Sequence, residues 1–201
     1  RNVTGVQTCA LPICRRRAIC GLLGTLAFAT LVSGCSPEFN WRETRSDEQR
    51  FMVLLPARPA TMSREIDLEG RRVQMTMTGA RVDQAMFTVG AIQLAAPDAG
   101  LDDERVRALA AMQVAMLRNI GAEPRSGDSV RVGRVDGAGA SRGAVDGLLI
   151  QAGGRVAGNA VVMQAIFVGE RDRLWQAVAI TPPAQAEQAR TMLDSFRVML
   201  P

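Results

Sequence analysis

From Arg50 onward, runs of apolar residues at strand spacing alternate with runs at helical spacing. RFMVLLP is an apolar stretch that Pro56 ends, as expected of an opening strand. After a turn near Glu69-Gly70-Arg71, Val73, Met75 and Met77 alternate with Gln74, Thr76 and Thr78, the period-two pattern of a half-buried strand. A second turn at Val82-Asp83-Gln84 leads into AMFTVGAIQLA, so this part reads as an antiparallel meander. The period then switches. In LDDERVRALAAMQVAMLRNIG, Val106, Leu109, Ala110, Met116, Leu117 and Ile120 recur at helical spacing and leave Arg105, Arg107 and Arg118 to other faces. Asp102, Asp103 and Glu104 fall in the first turn, where negative charge meets the positive end of the helix dipole, and Gly121 suits the stop.

Strand periodicity returns in DSVRVGRV, ASRGAVDGLLI, RVAGNAVVMQAIFVG and RLWQAVAI, with turn signals at Asp136-Gly137, Gly153-Gly154 and GERDR. Pro182 and Pro183 end the last strand. In AQAEQARTMLDSFRV, Ala189, Met192, Leu193 and Phe196 share one helical face. The pattern predicts one α+β domain, a mostly antiparallel sheet packed with two main helices. The entry RFMVLLPARP, the long helix after about three strands and the closing helix ending DSFRV resemble the PsbP-like α/β/α sandwich of exported lipoproteins. Residues 36–201, with their FNWRE start, are similar to small uncharacterised lipoproteins of proteobacteria. The resemblance carries no catalytic signature. It implies an envelope location, and relatives of that fold act more often as binding or assembly factors than as enzymes.

The stretch ahead of the domain bears on location. Arg15, Arg16 and Arg17 precede the apolar run Ala18 to Thr30, the layout of a secretory signal peptide and too short to be a good membrane span. Val32-Ser33-Gly34-Cys35 resembles the bacterial lipobox. That resemblance implies signal cleavage between Gly34 and Cys35, and lipidation of Cys35 by diacylglycerol and an acyl group such as palmitate. Several acyl chains anchor stably where one binds only marginally. Ser36 resembles the outer-membrane case of lipoprotein sorting. Further upstream, VTGVQTCALPI (Val3 to Ile13) resembles a translated sequencing adapter, matched codon by codon. The expected organisation is therefore an adapter artefact at 1–14 and a lipoprotein signal peptide at 15–34. A lipidated N-terminus and tether come next at 35–49, then a single domain at 50–201. Phe39 and Trp41 are the apolar residues of the tether, placed to dock on the domain or to touch the membrane interface.

Composition changes meaning under that division. Cys9 and Cys14 fall in the adapter-like stretch, Cys20 in the signal peptide, and Cys35 is the lipid site, so the mature chain keeps no cysteine for a disulfide or a thiolate metal site. Of 24 basic residues, all Arg, four (Arg1, Arg15, Arg16, Arg17) precede Cys35, while all 20 acidic residues lie after it. The mature side chains thus balance, and a basic nucleic-acid surface loses its support. There is no His, which removes Ser-His-Asp catalysis, histidine acid–base chemistry and imidazole metal ligation.

Few constellations remain. Met75 and Met77, with Met86, Met112 and Met116, could present thioethers to Cu(I), but core filling explains the same spacing. Asp102-Asp103-Glu104 reads as helix-start chemistry before a cation site. GAGASRG (Gly137 to Gly143) lacks the spacing and the succeeding helix of a phosphate loop. Ser63, Ser126, Ser129, Ser141 and Ser195 have no His or Lys partner, and Arg71 and Arg72 beside a turn could grip an anion. The expected function is a non-enzymatic, lipid-anchored periplasmic binding or assembly-accessory domain of the cell envelope, on the outer membrane. Its expected partners are the membrane, through the N-terminal lipid, and an envelope protein. No cofactor, metal or catalytic residue is expected. The alternatives are a carboxylate-dependent hydrolase of glycan or cell wall and Met-based Cu(I) binding.

Overall fold

The computed structural model describes residues 38–68, 70–94 and 101–200, and Glu38–Pro201 forms one unit. The strands are β1 (Arg42–Ser46), β2 (Phe51–Leu55), β3 (Ala60–Leu68), β4 (Arg71–Val82) and β5 (Ala85–Gln93). After helix α1 (Leu101–Asn119) come β6 (Asp128–Val135), β7 (Ser141–Val156), β8 (Asn159–Glu170) and β9 (Arg173–Thr181). A 3-10 turn (Pro183–Gln185), helix α2 (Ala186–Ser195) and β10 (Arg197–Met199) follow. All ten strands join one sheet in the order β1-β2-β10-β6-β7-β8-β9-β5-β4-β3. Every pairing is antiparallel except β10 with β6.

This corrects the expected sheet packed with two main helices. The unit from Glu38 onward is a ten-stranded sheet curled into a half-barrel, with one long helix and one short one, in place of the expected PsbP-like sandwich with two main helices. The physical reason lies in the strands. β7 runs for 16 residues and β4 and β8 for 12, long enough for the sheet to bend back and cover much of its own surface.

Strand β9 shows how the curl works, because all nine of its residues are buried. Successive side chains point to opposite faces. Trp175, Ala177 and Ala179 enter one core with Phe51, Val53, Leu55 and Phe87, which α2 closes with Ala189, Met192 and Leu193, joined by Phe196 just beyond its end. Leu174, Val178 and Ile180 enter the other core with Ile92, Ile150 and Met163, beneath Ala108, Met112 and Leu117 of α1. The β1–β2 hairpin folds back across the first face. Trp175 Nε1 donates to the Gln49 carbonyl at 2.8 Å, and Arg173 Nη1 donates to the Glu48 carbonyl at 2.8 Å.

The structure departs from the local sequence pattern at three places. Residues 38–50, expected mostly as tether, belong to the folded unit and include β1. Gly153 and Gly154 lie inside β7, and the turn to β8 falls at Ala157-Gly158, where Ala157 has φ 50° and Gly158 φ 84°. The closing helix stops at Ser195. Phe196 turns extended (φ −66°, ψ 129°), and Arg197–Met199 leave to bridge β2 and β6.

Candidate functional site

The expected lipidation and cleavage residues, Cys35 and Gly34, lie outside the described residues. The segment that begins at Glu38 is firmly held. Glu38 Oε1 accepts from Gln185 Nε2 at 2.9 Å, and the Asn40 amide donates to the Pro56 carbonyl at 2.8 Å. Phe39 stacks on Trp41 with centroids 6.1 Å apart, and both rings meet the buried Phe87 edge-on, at 6.2 and 5.7 Å. Phe39 and Trp41 are thus half-buried against the core that α2 closes.

The methionines singled out from sequence converge on the face beneath α1. Met75 and Met112 are buried there, and Met77, Met86 and Met116 pack against the same cluster, beside Met163. Gln176 Nε2 lies 3.9 Å from Met75 Sδ and 3.8 Å from Met116 Sδ, a buried amide between two weak acceptors. The sulfurs serve packing and this amide. Met is suited to that task because its unbranched, polarizable chain fills irregular gaps.

The acidic start of α1 is used in ion pairs: Arg105 Nη2 meets Asp102 Oδ1 at 2.6 Å, and Arg71 pairs with Glu104. Arg72 reaches Glu65 at 3.2 Å on the surface. In the glycine-rich stretch the organiser is Asp136. Its Oδ1 accepts the amides of Ala138 and Ala140, both at 2.9 Å, while Oδ2 holds Arg142 at 2.6 Å. The Ala140 amide and the Arg142 guanidinium hold this carboxyl below its ordinary value of 3.8. Ser195 is structural: its Oγ accepts the Leu54 amide at 2.8 Å and donates to the Met192 carbonyl at 2.6 Å. Ser63 Oγ shares a 2.8 Å hydrogen bond with Thr76 Oγ1 across β3 and β4.

Two features stand out as candidate sites, both at the end of the sheet away from Glu38. One is a cavity of about 120 Å³ beside the start of α1. Leu68, Val73, Leu94 and Ala108 line it, with Arg71, Arg107 and Glu104 at the polar side. It is near the size at which an apolar cavity of about 150 Å³ admits a benzene ring. The other is the corner around Arg173, which is only 9% exposed. Nη1 and Nη2 are engaged with the Glu48 carbonyl and with Gln93 Oε1 (3.1 Å), while Nε is buried without a partner among the described residues. Burial, and then the Arg50 charge, push this guanidinium's pKa down, while Asp172 and Glu48 act against them. Nearby, Arg134 and Glu170 form a two-point pair at 3.1 and 2.9 Å.

Sequence reasoning did not single out Arg173 or Gln176. Arg173 belongs to GERDR, a charged turn that reads as solvated, and only the return of the β1–β2 hairpin buries it. Gln176 sits mid-strand in RLWQAVAI, where a polar residue ordinarily marks the solvent face; here both faces of β9 are covered. Among the described residues no three His, Cys, Asp or Glu side chains gather as a metal site, and no helix is long and apolar enough to cross a membrane. No family model, curated protein or solved structure matches this chain.

Proposed function

We propose that the chain is a lipid-anchored binding domain of the bacterial cell envelope, held through Cys35 and facing the periplasm, with a ligand or envelope partner engaged at the cavity beside α1. The observation that carries the binding reading is the lining of that cavity. An apolar floor of Leu68, Val73, Leu94 and Ala108 is edged by two guanidiniums and one carboxylate, Glu104, which is already committed to Arg71. Such a site offers contact area and orientation. Carboxylate hydrolysis needs two carboxyl groups set across a substrate, one as acid and one as base or nucleophile, and this lining supplies one.

The test has two parts. Mass spectrometry of protein recovered from membranes should give Cys35 as the N-terminal residue, carrying acyl chains, and Cys35→Ser should release the protein from the membrane fraction. A photo-crosslinker at Arg107 should then capture a defined envelope component, and Val73→Glu should abolish that capture. Turnover of cell-wall or glycan substrate that is lost in Glu104→Gln would replace the binding reading with the enzymatic one.

A further inference from the structure

The short junction between Cys35 and the folded unit restricts how the unit can sit on a membrane. Resting on the anchoring reading above, we propose that the end of the sheet formed by residues 56–59, 83–84, 157–158 and 182–185 lies against the bilayer surface, and that the cavity-bearing end faces away from it.

The leash is short. Ser36 and Pro37 are the only residues between Cys35 and Glu38. A chain advances at most ~3.3–3.6 Å per residue, so Glu38 stays within about 11 Å of the acylated residue. The leash is also held at its folded end. The Glu38–Gln185 and Asn40–Pro56 hydrogen bonds, and the packing of Phe39 and Trp41 on Phe87, fix the entry point to the unit. A tether running through residue 49 would have let the domain turn freely. This one does not.

Strand register tells which other segments share the entry point. β9 ends at Thr181, just before the turn at 182–185 that holds Glu38, and Thr181 pairs with Val162 near the start of β8. Ile180 pairs with Met86 at the start of β5, so the β4–β5 turn at Asp83-Gln84 is at the same end. Val156 pairs with Asn159, which places the β7–β8 turn there too. Val156 is 41% exposed, an apolar side chain offered at that surface. The far end carries residues 47–50, 136–140 and 171–172, and the cavity by Arg71. β5 and β9, nine residues each, separate the two ends by about 30 Å. Exposed charges of both signs, Arg58, Arg81, Arg155 and Asp83, occupy the near end, so the contact follows from the leash and does not need an anionic lipid.

Because thioether formation leaves Cys35 without a free thiol, an introduced cysteine is the sole labelling site of the mature protein. Four exposed positions serve: Gln84→Cys and Asn159→Cys at the near end, Glu48→Cys and Ala138→Cys at the far end. Each acylated protein is labelled with a fluorophore and reconstituted into phosphatidylcholine vesicles that carry a headgroup-attached quencher lipid. The expected result is quenching at 84 and 159 at least threefold stronger than at 48 and 138. Two positions per end guard against one variant misfolding. Equal quenching, or the reverse order, in protein whose acylation is verified by mass overturns the orientation alone. Absence of acylation, or unchanged membrane binding of Cys35→Ser, overturns the anchoring reading and this inference with it.

Discussion

The indole of Trp175, on β9, donates to the main-chain carbonyl of Gln49 at 2.8 Å, joining residues 126 positions apart. This bond, with the neighbouring Arg173–Glu48 contact, pins the β1–β2 hairpin across the sheet. Trp175→Phe keeps an aromatic ring but leaves the Gln49 carbonyl without its donor. Stranding a buried acceptor costs about 1–3 kcal/mol. Urea unfolding of Trp175→Phe should show a stability lowered by that amount with little change in slope, and an unchanged midpoint would deny the contact its role.

Gly154 predicts a sharper response. A Cβ there would sit 2.2 Å from the Ile120 carbonyl oxygen and 2.9 Å from the Ile120 Cβ. The amide of Arg155 donates to that same carbonyl at 2.7 Å, so the end of α1 is docked directly on β7. Gly154→Ala must push backbone from backbone, and overpacking of this kind costs about 1–3 kcal/mol. Gly153→Ala, with open space at its Cβ, is the control and should lie close to the parent in thermal denaturation.

Asp136 makes the acid limb of stability testable. Its folded pKa is depressed, first by the Ala140 amide and then by Arg142. A depressed carboxyl contributes stability that is present above its unfolded value, here 3.8, and is lost as pH falls through the lowered folded value. Asp136→Asn should therefore reduce the melting temperature at neutral pH and flatten its decline below pH 3.8 relative to the parent. Parallel pH profiles for the two proteins would refute the assignment.

The edge strand β3 is exposed along most of its length, Met62 to 61%. Arg64, Glu65 and Asp67 put charge on that edge, the usual protection against strand-to-strand association. Replacing Arg64 and Glu65 together by Val joins Met62 and Ile66 into an apolar edge. Sedimentation of the double variant in the Cys35→Ser background should show concentration-dependent dimers or larger species, where Cys35→Ser alone stays monomeric.

Most strands and both helices were legible from periodicity, because a two-residue or a 3.6-residue repeat records which face is buried. The half-barrel was not, since curl depends on strand length and register, and neither leaves a mark in a local pattern. RETRS shows why β1 was hidden: it is an edge strand with charged, exposed positions and, among the described residues, pairs only with β2. Gly153-Gly154 has the composition of a turn, yet Gly154 serves the close approach of Ile120. DSFRV continues the apolar face of α2, and only pairing with β2 and β6 draws its last residues into the sheet. Of the candidate sites, Arg71 was visible as a cation beside a turn. The cavity it edges combines segments distant in sequence and could not be read from any one of them.

Strand β10 has only three residues, but it is the one piece that joins β2 to β6. It also follows the other nine strands in sequence. Until residues near 198 have arrived, the hairpin that includes β2 has no neighbour to extend the sheet toward β6, and its apolar positions Phe51, Val53 and Leu55 stay uncovered by α2. Closure of the sheet therefore depends on contacts between segments distant in sequence and is correspondingly slow. A sheet built this way cannot be completed segment by segment.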